Sequence, residues 1–366
     1  MSSKDRRKQP TPDTMSSAGE ALRHAVSQGD HAAVQRLLAA GADPNKPDRY
    51  GATPLMAVQA TTMVDLLLAA GARIDAIDDF GNDALSQALS LENSTLINHL
   101  LAAGADLNRR NKYGWTRLRS AAFSRSPQTV AQLLELGADP SLDRGKLLSA
   151  TCWYGHAGDH PETAETIALL VAAGEDVNAP DGHGYTPLHC AVLGDHHTPD
   201  EATWWNASSD GSDVSATRAL LAHGADPNLA GANGMTPLLL AVESSYESTP
   251  CVAVLLEQGA DPALAGHGGI TPLMRAVNAG EAENVRLLLA HGVDVQQRDR
   301  YGHDALHYAT ERLQQLMTPE QADEDENEEA GKELLEPELR AWMAELNQRA
   351  IDKAALCMAL LKTALG

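Results

Sequence analysis

Apolar residues recur along this chain at short helical spacings, and the same polar turn separates one apolar group from the next. Residues 184–228 show the repeating unit most completely. Leu188 and Ala191 lie on one face of a first predicted helix, and Leu220 with Leu221 provide the apolar stripe of a second. The pattern therefore predicts a helix, a turn, a second helix and an excursion into the next unit.

The predicted helices carry recognisable start and stop signals. Thr186 is a good N-cap residue, and Pro187 has no N–H group to leave unpaired in the first helical turn. Gly224 can adopt the left-handed conformation that ends a helix. The Thr-Pro-Leu start recurs at residues 53–55, 186–188, 236–238 and 271–273, with degenerate forms at 83–85, 116–118 and 304–306.

The closing turn, Gly-Ala-Asp-Pro-Asn or a close variant, occurs eight times. Its glycines are Gly41, Gly71, Gly104, Gly137, Gly174, Gly224, Gly259 and Gly292. Successive glycines are separated by 30, 33, 33, 37, 50, 35 and 33 residues. A period near 33 residues is typical of a repeat array, in which stacked neighbours bury apolar faces that no single unit can bury alone.

With these two phrases at this spacing, the sequence resembles an ankyrin repeat protein over residues 18–309. The resemblance implies an all-α, ankyrin-type helical solenoid of about nine repeats with a C-terminal helical cap. It also implies a non-catalytic protein–protein interaction module, which binds its partner through a concave face of hairpin fingertips and first helices. The fifth unit, around residues 147–153, lacks the Thr-Pro start of its first helix.

The residues that flank the glycine before Thr-Pro are those that the resemblance places at the fingertips. Six of the fourteen aromatic residues of the chain fall there. Aromatic side chains at exposed tips favour a binding stripe, because they offer a large contact area at little entropic cost. The alternative is that they pack on the adjacent finger. The candidate partner-binding residues are Tyr50, Phe80, Lys112, Tyr113, Trp115, His183, Tyr185, Met235, Ile270, Tyr301 and His303.

The longest step between turns contains an insertion, residues 195–213, between the two helices of the sixth unit. Insertions in repeat arrays emerge as loops on one face. This one carries Trp204 and Trp205, which join the candidate partner-binding residues. The two tryptophans are either a clasp over the neighbouring repeat or an anchor for a partner.

Three segments lie outside the predicted array. Residues 1–17 are polar, and we expect a disordered tail. Residues 310–336 include a strongly acidic run and are interpreted as an acidic linker. Residues 337–366 place apolar side chains at helical spacing, which predicts one or two helices. They are interpreted as a C-terminal helical cap on the last repeat or, alternatively, as a helix that binds a groove on a partner.

Charge and cysteine content narrow the class of partner and the compartment. The formal net charge of −22 disfavours nucleic acid and anionic membranes, and it favours a protein partner with a basic surface. The four cysteines have no paired spacing, which indicates free thiols in a reducing compartment. Neither a signal peptide nor an apolar run of membrane-spanning length is present. We therefore expect a cytoplasmic protein that is monomeric by itself.

The sequence offers one candidate for metal chemistry. His189, His196 and His197 lie close together beside Asp195. However, His189 occupies the histidine position of the Thr-Pro-Leu-His phrase, where the resemblance implies that it bonds neighbouring turns. No phosphate-binding loop, nucleophile elbow or zinc-protease motif is present. We predict no catalytic residue, metal or cofactor. Two alternatives stay open: an immunity- or antitoxin-like inhibitor of a basic toxin, and a metal-dependent enzyme that uses this histidine region.

Overall fold

The computed structural model describes residues 12–152, 161–182, 184–193, 214–231, 234–243, 249–317 and 337–365. Within these ranges the chain forms seventeen α-helices and no strand, which confirms the all-α prediction. The chain divides into two compact units. The first comprises Met1–Ala121 with Gln128–Asp143, and the second comprises Ala122–Pro127 with Arg144–Gly366.

The first unit is built from short helices that pack in pairs. They are α1 (Pro12–Ser27), α2 (His31–Ala39), α3 (Thr61–Ala69), α4 (Ala84–Ser90) and α5 (Ser94–Ala102), followed at the boundary between the units by α6 (Arg117–Phe123) and α7 (Pro127–Glu135). A 3₁₀ helix, Pro54–Ala57, replaces the first helix of the second repeat, where the sequence step is shortest. Helix α1 packs on α2 and on this 3₁₀ helix, and α4 packs on α5.

The described residues of the second unit form ten α-helices, which alternate between two layers. They are α8 (Leu147–Cys152), α9 (Pro161–Ala172), α10 (Pro187–Leu193), α11 (Val214–Ala222), α12 (Pro237–Glu243), α13 (Thr249–Glu257), α14 (Pro272–Ala279), α15 (Ala282–Ala290), α16 (Ala305–Met317) and α17 (Pro337–Leu365). The even-numbered helices pack on one another in order, and the odd-numbered helices do the same. Each repeat therefore contributes one helix to each layer.

Helix α8 shows that burial can replace the missing start signal. It lacks the Thr-Pro pair, yet all six of its residues are buried. It packs against α9 within its repeat and against α10 of the next. Because most helical stability in proteins comes from tertiary packing, the apolar face is sufficient to form this helix.

The C-terminal helix α17 follows the same packing rule as the second helix of a repeat. It packs against α16, its partner in the ninth repeat, and against α15, the second helix of the eighth. Over residues 348–365, where its side chains are described, Ala354, Cys357 and Leu361 are buried at helical spacing. Lys353 adds an ion pair to Glu281 at 3.3 Å. The segment expected to form a separate cap thus lies where the ninth repeat requires its second helix.

Two predicted boundaries differ from the observed ones. Helix α1 begins at Pro12, inside the 1–17 segment that was expected to be disordered, and residues 1–11 lie outside the described residues. Proline suits the first helical turn, so the helix can start there. Helix α16 continues to Met317, beyond residue 310, where the acidic linker was expected to begin. Ala305 and Ala309 are buried one turn apart, so the packed face extends into this helix.

Asparagine side chains join neighbouring turn phrases. The Nδ2 group of Asn228 donates to the carbonyl of Gly259 at 3.0 Å, and its Oδ1 accepts from the N–H of Asp261 at 2.7 Å. Asn45 and Asn178 make the same pair of bonds to the phrases that follow them. The recurrent asparagine therefore fixes the distance between consecutive repeats.

The four cysteines are buried and form no disulfide. Burial raises the pKa of Cys190 to about 12 and that of Cys357 to about 11, so neither thiol is a nucleophile at neutral pH. Among the residues that the structure describes, no helix combines the length and the apolar character needed to cross a bilayer.

Candidate functional site

Each fingertip of the first unit is a tight loop closed by an acidic or amide side chain. Asp48 accepts hydrogen bonds from the N–H groups of Tyr50 and Ala52, both at 2.9 Å. Partial burial opposes ionisation of Asp48, but these N–H donors and the nearby arginines keep its pKa below the usual range. Gly51 has a φ of +82°, which a side chain would strain. The tip carboxylate is therefore ionised and turned toward its own backbone.

The next two fingers repeat this geometry. Asp78 accepts from the N–H groups of Phe80 and Asn82, and Asn111 accepts from those of Tyr113 and Trp115. One of the two bonds in each finger comes from the backbone N–H of the residue before the glycine. The residue before the glycine is consequently held at the outermost point of its finger.

The fingers of the first unit lie directly against one another. The N–H of Asp79 donates to the carbonyl of Tyr50 at 2.9 Å, which joins the first finger to the second. The Nζ group of Lys112 donates to the carbonyl of Asp79 at 2.9 Å, which joins the second to the third. A Cβ atom on Gly51 would come within 2.8 Å of the Asp79 nitrogen, so this approach requires glycine. The three tips form one continuous surface.

His189 is bound at both ring nitrogens. Its Nδ1 accepts from the backbone N–H of Thr186 at 3.2 Å and lies 2.7 Å from the hydroxyl of Thr186. Its Nε2 therefore carries the proton and donates it to the carbonyl of Met235, in the next repeat, at 2.9 Å. Burial lowers the pKa of His189, which keeps the ring neutral. The side chain joins two repeats, as the resemblance implied.

This arrangement leaves His189 without a nitrogen for a metal ion. His196, His197 and Asp195 lie outside the described residues. Among the described residues, no group of three or more histidine, cysteine or acidic side chains is positioned to hold a metal. The geometry gives the metal-enzyme alternative no support.

Comparison with protein families assigns the repeated unit. The family described as ankyrin repeats (3 copies) matches residues 22–111, 56–144, 164–266 and 263–318, which together span more than half of the chain. The chain belongs to the ankyrin repeat family. Ankyrin repeats generally mediate protein–protein interaction, and proteins of this family are typically non-enzymatic scaffolds. A comparison with curated proteins gives no match.

The two positions beside the ankyrin tip glycine differ in exposure. The residue before the glycine points outward: Tyr50 is 48% exposed, Phe80 60%, Tyr113 49% and Tyr301 66%. Lys112 is exposed as well. These five residues are exposed, as expected for candidate contact residues at the tips. Tyr301 belongs to the second unit, whereas the other four share the continuous surface of the first.

The residue after the glycine turns toward the first helix of its own repeat. Trp115, Tyr185, Ile270 and His303 are only half-buried there. Met235 is 8% exposed, so its expected place at an exposed tip is wrong. The repeated phrase gives no reason to distinguish the two positions beside the glycine. In the structure, the residue before the glycine is exposed and the residue after it is partly or fully buried.

Specific contacts hold these inner side chains. The sulfur of Met235 accepts from the guanidinium of Arg275 at 3.4 Å. The guanidinium of Arg119 lies 4.3 Å from the Trp115 ring. The ring of Tyr185 lies 5.7 Å from that of His189. Trp115 and Tyr185 therefore pack against the first helix of their own repeat, whereas Met235 contacts that of the next repeat.

Cations accompany the outward rings of the first unit. The guanidinium of Arg49 lies 4.6 Å from the centre of the Tyr50 ring. The Lys112 ammonium lies 5.1 Å from the Tyr113 ring and 5.8 Å from the Phe80 ring. A cation over the face of an aromatic ring is attracted by the ring quadrupole. The rings are thus held in place before any partner arrives.

The last finger, in the second unit, forms a shallow pocket of about 310 Å³ beside Arg298 and Thr310. Asp299 accepts from the N–H groups of Tyr301 and His303, both at 2.8 Å. The His303 ring stacks on that of His307 with 3.8 Å between their centres. Two of the side chains that line the pocket therefore stack on each other.

His183, Trp204 and Trp205 lie outside the described residues, so their roles stay predictions. The alternative between a clasp and an anchor for the two tryptophans stays open for the same reason.

Proposed function

We propose that this ankyrin repeat protein binds a protein partner, without catalysis, through the fingertips of its first unit. The contact surface consists of Tyr50, Phe80, Lys112 and Tyr113, with Trp115 at its inner edge. The observation that carries the proposal is the continuous row of three exposed aromatic rings on fingers that are bonded to one another.

The fingers of the first unit are ordered before a partner binds. In each finger, two backbone N–H groups donate to the Asp or Asn side chain, and further bonds join neighbouring fingers. A surface that is already ordered loses little conformational entropy when a partner binds. Aromatic residues at the centre of such a surface are the usual energetic hot spots of protein interfaces.

Tyr301 and His303 extend the proposal to the second unit. They flank the tip glycine of the last finger, with Tyr301 the more exposed of the two. The proposal includes a cytoplasmic protein that acts as a monomer. Four free, buried thiols support the reducing compartment.

A photo-cross-linking experiment tests the proposal. Benzoylphenylalanine replaces Tyr113 in one variant and Leu91, an exposed residue of the turn between α4 and α5, in another. Each full-length protein is irradiated in a lysate of the source cells. We expect a discrete cross-linked protein from position 113 and none from position 91. The same adducts from both positions, or none from position 113, would contradict the proposal.

The inhibitor alternative rests on a different observation, the formal net charge of −22. A protein of this charge would attract a basic toxin, and its association would slow steeply as salt rises. Stopped-flow association rates at several salt concentrations distinguish the two functions once a partner is in hand. A binding module that works through aromatic rings should show a shallow salt dependence.

A further inference from the structure

The fingertips of the first unit place two exposed cations beside their aromatic rings, on a protein whose net charge is negative. The tip carboxylates of Asp48 and Asp78 face inward, where they accept backbone hydrogen bonds, and the third finger has Asn111 in their place. The cations Arg49 and Lys112 lie outside, over the aromatic rings. On a chain of net charge −22, this row presents positive charge between apolar rings.

Lys112 is the cation that contacts two of the aromatic rings in this row. Its ammonium donates one hydrogen bond, to the carbonyl of Asp79, and a lysine ammonium has three donors. It lies between the rings of Phe80 and Tyr113 and is exposed to solvent. An acceptor arriving from solvent can therefore bond to it without displacing either ring.

Asp79 is an exposed acidic residue on the second finger, next to Phe80. Its Oδ1 is close to Gly51 of the preceding finger: a Cβ atom on that glycine would lie 2.9 Å away. Its carboxylate is therefore directed toward the first finger, while Lys112 approaches its backbone carbonyl from the third. The bond that Lys112 makes to Asp79 goes to its backbone carbonyl.

Building on the proposed function, we infer that the partner binds this row with an acidic segment in which carboxylates alternate with apolar side chains. Its carboxylates bond to Lys112 and Arg49, and its apolar side chains cover the faces of Phe80 and Tyr113. A basic segment would bring like charges against the two cations, which costs binding energy. Arg49 and Lys112 thus favour a partner segment that the overall charge of the protein would disfavour.

Selection from a phage-displayed library of random peptides on the full-length protein tests this inference. We expect the enriched peptides to carry Asp or Glu next to Leu, Phe or Tyr. Synthetic copies are then titrated against the wild type and two charge-reversal variants of the same unit, Lys112→Glu and Arg36→Glu. Arg36 is exposed on α2, so its reversal changes the net charge equally without touching the row.

The expected result is a loss of at least about tenfold in affinity for Lys112→Glu, a difference of about 1.4 kcal/mol, and little change for Arg36→Glu. Replacing the peptide carboxylates with amides should weaken binding to the wild type. The same replacement should not weaken binding to Lys112→Glu any further, because both changes remove the same contact. Circular dichroism verifies that the variants are folded.

The outcomes separate this inference from the proposed function. Enrichment of basic peptides, no enrichment, or equal losses in both charge-reversal variants would overturn the inference. The double variant Phe80→Ala, Tyr113→Ala tests the surface itself. If basic peptides are enriched and this variant loses them, the proposed function stands and only the acidic partner is wrong. If it keeps full affinity for every selected peptide, the proposed surface is wrong as well.

Discussion

Arg117 donates a hydrogen bond to the carboxylate of Asp83 in the preceding repeat, and both side chains are nearly buried. These are the positions at which other repeats carry proline and threonine. Asp83 still caps its helix by accepting from the N–H of Ser86 at 2.9 Å. The two departures from the repeat phrase therefore compensate each other across the boundary between repeats.

This pairing predicts non-additive effects on stability. Arg117→Pro alone leaves a buried carboxylate without its cation and should destabilise the protein by about 3–5 kcal/mol. The double variant Asp83→Thr, Arg117→Pro restores the repeat phrase at both positions and should recover most of that loss. Urea unfolding followed by circular dichroism measures all three proteins. A double variant as unstable as Arg117→Pro would contradict the compensation.

The neutral ring of His189 predicts a pH-dependent contribution to stability. Burial holds its pKa below the ordinary value of 6.5, so the unfolded chain binds a proton that the folded chain resists. The stabilisation is therefore present above pH 6.5 and is lost as the pH falls toward the lowered value. The difference in urea midpoint between wild type and His189→Gln should shrink between neutral pH and about pH 5. If the difference in urea midpoint stays constant or grows on acidification, the predicted direction of this pH dependence is wrong.

The asparagine bridges predict a stabilising substitution. Asn228→Ala removes two hydrogen bonds between repeats and should cost about 1–2 kcal/mol. In the following repeat the equivalent position is Ala263, which lacks a side chain for this bridge. Ala263→Asn should bond to Gly292 and Asp294 and raise the melting temperature. An unchanged or lower melting temperature for this variant would refute a bridging role for the side chain.

The position of α17 predicts unequal effects of two leucines. Leu361 is fully buried and Leu365 is 42% exposed one turn later. Leu361→Ala should destabilise the protein by about 2–5 kcal/mol, and Leu365→Ala should change little. Thermal unfolding compares them. Equal melting curves for Leu361→Ala and the wild type would favour the alternative that this helix serves a partner.

The repeat spacing could be read from the sequence because glycine, threonine and proline have local backbone reasons for their positions. The bond that His189 makes to a neighbouring repeat was predicted from the same phrase. In contrast, the place of α17 was hidden, because residues 318–336 interrupt the 33-residue period before the second helix of the ninth repeat. Because this segment separates α17 from the array, the sequence pattern indicated a cap and not the second helix of a repeat.

The candidate surface was only half predictable. The phrase located the fingertips but gave no reason to separate the residue before the glycine from the one after it. That separation depends on the turn that Asp48 or Asn111 closes, which directs Tyr113 outward and Trp115 inward. The pairing of Arg117 with Asp83 was equally hidden, since it joins residues 34 positions apart.

The affinity of the cross-linked partner for the double variant Phe80→Ala, Tyr113→Ala tests the central claim most directly. Isothermal titration calorimetry compares it with the wild type and with Leu91→Ala, which removes an exposed leucine away from the tips. One hot-spot ring contributes about 2 kcal/mol, so we predict a loss of more than tenfold with an unchanged circular dichroism spectrum. Equal affinities for the double variant and the wild type would contradict binding at the fingertips of the first unit.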